Sequence, residues 1–273
     1  MGDMATFTSV QCALDHSQLA PQVLRHAVAI AGAAGAKLTV VGVFSGNPKD
    51  EHARIDALLA ATIPPGALYI TTPRVRVMRV TQGDIADAII DAASEDCDLL
   101  VAGTHARSGF VRWFLGSTSS ALLERAICPT LLIPPDDHHT VMLTPGKALL
   151  NVGTVMAAVD LTEHNTAQIV TAYRMAELAQ QPLVLLTVID PGASASDAEQ
   201  ALFERSHLLE PGAVREVMVR TGQVAEEIER AAASEPAGLV VMGLRNRNVG
   251  VPGAIATAVL KAKNTLVLAV PAI

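Results

Sequence analysis

The feature that most constrains this chain is an internal duplication. TSVQCALDHS near the start returns as GTVMAAVDLT, so that Asp15 recurs as Asp160, and LTVVGV from Leu38 returns as LVLLTV from Leu183, both 145 residues on. GDIADAIIDAA from Gly83 returns as GQVAEEIERAA from Gly222, and TLLIPP at Thr130 returns as VLAVPA at Val267. A chain of 273 residues is about twice the usual domain size, so the repeat predicts two copies of one domain, over 1–140 and 147–273. The polar, proline-flanked segment PPDDHHTVMLTPGK reads as the linker between them.

Each copy alternates short Val, Leu and Ile runs with helical patterns. That is the signature of βαβ units on a parallel sheet buried on both faces. In the first copy the expected strands are Val10 to Leu14, Leu38 to Phe44, Val75 to Val80, Leu99 to Ala102 and Thr130 to Ile133. Between the first two, Leu24, Ala27, Val28 and Ala31 fall at i, i+3, i+4 and i+7 and form one apolar helix stripe. Asp50 to Ala60 is weakly helical, Gly83 and Asp84 open a third helix, and Ser117 to Arg125 a fourth. The fold class is α/β: two tandem five-stranded open parallel sheets with helices on both faces.

Composition removes several functions. Half the residues are hydrophobic, 17% are charged and the mean hydropathy is +0.36, which suits large buried cores. A net charge of −7 and an aromatic content of 3% argue against a phosphate-backbone binder or a stacking platform, so nucleic acid is not an expected partner. No run of about 18 apolar residues and no signal-like N-terminus occur, which predicts no membrane association and a cytoplasmic location. Cys12, Cys97 and Cys128 are odd in number and lack CxxC spacing, and read as buried small hydrophobes.

The chemistry is expected after strand four, in GTHARSGFVRWFLGSTSS. A strand end, a long loop and Gly116-Ser117-Thr118 at a helix start together make a layout that aims backbone N–H groups at an anion. Asp15 ends strand one on the same edge, where open α/β sheets bind ligands, and an acid there suits a ribose hydroxyl. Gly at a helix start and Asp after a strand also serve ordinary turns, so on spacing alone a purely structural loop stays an equal alternative.

These residues resemble the universal stress protein family, in a tandem form that covers nearly the whole chain. The family's nucleotide motif G-x2-G-x9-G-[S/T] is matched by Gly103, Ala106, Gly116 and Ser117, with alanine in place of the middle glycine. The resemblance implies ATP as ligand, with Mg, and a regulatory rather than enzymatic role in the stress response. It implies that Asp15 holds the ribose or adenine end and Val43 gives backbone hydrogen bonds to adenine. Gly103, Thr104, His105 and Ala106, with Gly116, Ser117 and Thr118, would surround the phosphates. If residue 106 needs a positive φ, alanine costs on the order of 1 kcal/mol, about tenfold in affinity.

The second copy has lost more. Gly103 to Gly116 spans 13 residues but Gly243 to Gly253 only 10, while Gly116 to Pro134 and Gly253 to Pro271 both span 18. Asn246 stands for the middle glycine, Ala254 for the helix-start Ser, and Pro252 stiffens the shortened loop. One nucleotide site per chain is therefore expected, in the first copy. A nucleotide-free interaction scaffold is the rival reading. GxGxxG, GxxxxGK[ST] and GxSxG are absent, so the expectation is no enzyme, slow ATP hydrolysis aside.

Other groups read as structural: His138-His139 as a solvated pair, Trp113 and Phe114 as an apolar loop segment, Arg245 and Arg247 as solvated charges. The terminal apolar strands would leave bare edges, and the resemblance implies that fifth strands pair across a dimer axis. An intramolecular pseudo-dimer through Thr130 to Ile133 and Val267 to Val270 is thus expected, with homodimerisation a weaker expectation.

Overall fold

The computed structural model describes residues 6–44, 46–65, 72–80, 84–93, 97–104, 117–135, 140–163, 166–235, 237–244, 255–256, 259 and 265–272. The chain divides into two compact units, Thr6–Asn151 and a unit that contains Val152–Ile273. Each is a doubly wound α/β domain.

In the N-terminal domain the elements run β1 (Ser9–Leu14), α1 (Ala20–Ala34), β2 (Lys37–Phe44), α2 (Pro48–Thr62), β3 (Arg74–Arg79), α3 (Ile85–Ala93), β4 (Leu99–Gly103), α4 (Ser117–Arg125) and β5 (Thr130–Ile133). These agree with the expected elements to within a residue or two at most ends. The five strands are parallel, in the order β5-β4-β1-β2-β3. The stripe Leu24, Ala27, Val28 and Ala31 is fully buried, as its periodicity demands. Gly35 ends α1 at φ +65°, the left-handed position glycine adopts without strain. α2 is longer than its weak pattern suggests, because Asn47 caps it by accepting from the Lys49 N–H and Pro48 sits in the first turn.

The segment expected as a linker differs in the structure. β6 (Val141–Thr144) and β7 (Lys147–Leu150) form an antiparallel hairpin within the N-terminal domain and pack on α1. Pro145 and Gly146, the latter at φ +75°, make the turn, and Val141 and Leu150 are buried. The apolar residues either side of Pro-Gly were the available sign of this hairpin, and their burial on α1 is what orders it. His138-His139 lies outside the described residues.

The C-terminal domain repeats the plan with β8 (Val155–Ala158), α5 (Ala167–Ala179), β9 (Leu183–Ile189), α6 (Ala195–Ser206), β10 (Val214–Thr221), α7 (Val224–Ser234), β11 (Leu239–Leu244) and β12 (Leu266–Pro271). Its parallel strands run β10-β9-β8-β11-β12, the order of the first domain. Its strands are sealed along their middles: Val155, Leu185, Val240, Val241, Val267 and Leu268 are each 0% exposed.

Candidate functional site

In an open parallel sheet the crevice for a ligand lies where the winding reverses, beyond the carboxyl ends of the strands. In the N-terminal domain that point falls between β1 and β4. The registers Leu14↔Gly42 and Cys12↔Val101 bring the ends of β1, β2 and β4 to one level. Asp15, Val43 and Gly103 therefore share one edge of three adjacent strands, although they are 28 to 88 residues apart in sequence.

Asp15 is half-buried just beyond β1, and its Oδ1 accepts from the Ser17 N–H at 2.9 Å and the Ser17 hydroxyl at 2.6 Å. Ser17 Oγ in turn accepts from the Leu19 N–H at 3.2 Å, so the carboxylate organises the turn that leads into α1. At the end of β4, the Ser119 hydroxyl donates to the Gly103 carbonyl at 3.0 Å and ties the first turn of α4 to the strand. Ser117 and Thr118 open that helix, Ser117 exposed and Thr118 half-buried. Ser119 was not singled out in the sequence, and only the strand-to-helix contact gives it a role.

Two glycine-loop residues have structural duties. A Cβ on Gly103 would lie 2.9 Å from Leu19 Cδ2 and 3.0 Å from Val23 Cγ2, so its bareness lets α1 pack close to β4. The buried Thr104 N–H and hydroxyl both donate to the Ile133 carbonyl, at 3.0 and 3.1 Å, which commits that side chain to β5. His105, Ala106, Gly116, Trp113 and Phe114 lie outside the described residues.

Beside this edge sits an ion cluster the sequence reading missed. Glu51 of α2 is 3% exposed, with His16 Nε2 at 2.8 Å and Arg54 Nη2 at 2.6 Å from its two oxygens. It rests over Gly42, where a Cβ would approach Glu51 Oε1 to 2.9 Å and Ile55 Cδ1 to 2.5 Å. The Arg54 hydrogen bonds hold the Glu51 carboxyl below its ordinary range, outweighing burial. Because the folded value lies below the unfolded value of about 4.3, this stabilisation is complete above that range and is lost as pH falls through the folded value. Glu51→Gln is accordingly expected to flatten the acid limb of the stability profile of the N-terminal domain. Wild type and variant with the same pH dependence of urea unfolding would refute it.

The C-terminal domain keeps the frame and alters the lining. Asp160 Oδ1 accepts from the Thr162 N–H at 2.9 Å and its hydroxyl at 2.6 Å, the same turn as at Asp15. Here, however, Arg205 of α6 donates to the carbonyls of Asp160, Leu161 and Glu163 at 3.0, 3.0 and 2.6 Å and clamps the loop after β8. At Gly243 the neighbour is the buried amide of Gln168, whose Oε1 would be 2.9 Å from an added Cβ; its counterpart in the first copy is Val23. Arg245, Asn246, Arg247, Pro252 and Ala254 lie outside the described residues.

Two doubly wound domains, each with an acid after its first strand and a glycine at or next to the end of the strand beside it, define a tandem α/β protein of the nucleotide-fold type. The universal stress protein family model matches twice, over residues 6–134 and 151–271, and the chain belongs to that family. It is 30% identical over 171 residues to universal stress protein Rv2623 of Mycobacterium tuberculosis, a match covering 56% of this chain and 54% of that one. The match thus spans about half the length of that relative. A universal stress protein of Thermus aquaticus is 35% identical over 136 residues, 46% of this chain and 98% of its own. Among solved structures, the Pseudomonas aeruginosa protein PA1789, described as functionally unknown, superposes with a TM-score of 0.70 at 19% identity, covering 98% of this chain and 94% of its own. The cytoplasmic domain of a prokaryotic cation chloride cotransporter reaches 0.58 at 11% identity, over 96% and 94%. Both likenesses concern the fold alone. Among the described residues no helix is long and apolar enough to cross a membrane.

Proposed function

We propose that this chain is a non-enzymatic, ATP-binding stress-response regulator of the cytoplasm, with one nucleotide held in the N-terminal domain. The observation that carries the reading is the meeting of Asp15, Val43 and Gly103 at the winding reversal, with the start of α4 tied to β4 through Ser119. The donor set fits an adenine nucleotide: a carboxylate suits ribose hydroxyls, backbone groups of β2 suit the adenine edge, and helix-start N–H groups with Ser117 and Thr118 suit phosphate oxygens. Bound ATP would supply charge and occupancy. The chain's own residues would orient it, and occupancy would bias conformation or partner choice.

The C-terminal domain is read as nucleotide-free. Its loop is shorter by three residues, Arg205 clamps the strand end and Gln168 lines Gly243. Pairing of the two fifth strands, within the chain or between copies, belongs to this proposal and rests on edge-strand chemistry and on the family resemblance. Calorimetric titration with Mg-ATP is expected to give one equivalent per chain. Two equivalent sites, or no heat of binding at millimolar nucleotide, would overturn the assignment.

A further inference from the structure

The amino-terminal edge of the first sheet, opposite the candidate nucleotide site, carries a group with its own chemistry. Cys97 lies two residues before β4 and Cys128 two residues before β5, strands that are neighbours in the sheet. Their sulfurs lie 3.4 Å apart, Cys128 Sγ donating to Cys97 Sγ, and closing to the disulfide distance of about 2.05 Å asks for little more than an ångström of movement. Cys12, in contrast, is sealed in β1, where burial pushes its thiol well above the ordinary range.

The backbone holds the pair in place. Asp98, next to Cys97, accepts from the Thr8 N–H and hydroxyl at 2.7 and 2.9 Å and from the Ser9 N–H at 3.1 Å, anchoring the start of β4 to β1. The Leu100 N–H donates to the Pro129 carbonyl at 2.8 Å, anchoring the residue after Cys128. Cys97 is half-buried, and Cys128, whose sulfur would meet the oxidant, keeps 5% of its surface exposed.

We infer that Cys97 and Cys128 form a site of reversible intramolecular disulfide formation, oxidised by hydroperoxides. Once Cys128 ionises, the Cys97 S–H becomes the donor, and this hydrogen bond holds the Cys128 thiol below its ordinary range while raising that of Cys97. The Cys128 thiolate attacks the peroxide oxygen, the O–O bond breaks, and the alcohol or water leaves with a proton, giving a sulfenic acid. Cys97 sulfur then displaces its hydroxyl as water, with loss of the Cys97 proton. Two thiols and one hydroperoxide thus yield one disulfide, one alcohol and one water, the thiols losing two electrons to the O–O bond.

The test uses the full chain and hydrogen peroxide. Thiol titration in denaturant is expected to fall from three to one per chain, with peptide mapping that joins Cys97 to Cys128 and full recovery on dithiothreitol. Cys97→Ser, at a half-buried position, is expected to fold and to give no such cross-link. A titre that stays at three, a link involving Cys12 or a second chain, or oxidation that dithiothreitol does not reverse would each overturn the inference.

Discussion

Asp15→Ala is expected to weaken ATP binding by at least about tenfold, while Asp160→Ala leaves it unchanged. A hydrogen bond from a ribose hydroxyl to a carboxylate contributes about 1.5–3 kcal/mol, or roughly 10- to 150-fold. The pair controls for a complication in the structure. Asp15 also organises the turn into α1 through Ser17, so its loss alone confounds binding with local order. Asp160 makes the matching turn through Thr162, so its substitution removes the same two hydrogen bonds in the other domain. Calorimetric titration of both variants, with thermal melts alongside, separates the contributions. Equal ATP affinity in the two variants would remove Asp15 from the nucleotide site.

Gly238→Ala is expected to destabilise the C-terminal domain by about 3 kcal/mol. An added Cβ would stand 2.3 Å from the Val152 carbonyl oxygen and 2.9 Å from its carbon. Neither atom belongs to a side chain that can turn away. The Gly238 N–H donates to that same carbonyl at 2.7 Å, and the Gly238 carbonyl accepts from the Leu266 N–H at 2.7 Å, so relief of the clash disturbs the hydrogen bonds that start β11 and β12. Gly46→Ala is the comparison, since an added Cβ there would stand 3.9 Å from Phe44 Cδ2, an ordinary van der Waals contact, and the change should stay within about 0.5 kcal/mol. Urea unfolding read by hydrogen exchange, in β11 for Gly238→Ala and in β2 for Gly46→Ala, measures the difference; an unchanged protection in Gly238→Ala would show that the strand start yields without cost.

Much of the fold was legible because repetition and periodicity are local properties of a sequence. The 145-residue offset announced two copies, and the stripe through Leu24, Ala27, Val28 and Ala31 named the face of α1 that is buried. The hairpin of β6 and β7 was hidden by Pro145, Gly146 and flanking polar residues, which read as a linker until α1 is present to cover Val141 and Leu150. The family resemblance implied a phosphate role for Thr104, and only the structure shows that its hydroxyl donates to the carbonyl of Ile133, twenty-nine residues away.

The order of residues by itself determines the duplication, the α/β alternation and the unequal loops after Gly103 and Gly243, since each is a spacing along one chain. Tertiary structure alone decides which distant residues meet. It brings Asp15, Val43 and Gly103 to one edge, sets Glu51 between His16 and Arg54, puts Gln168 against Gly243 and brings Cys97 within 3.4 Å of Cys128. The physical reason is that strand order and register place side chains by position across the sheet, and parallel pairing joins segments whose separation in sequence carries no local pattern.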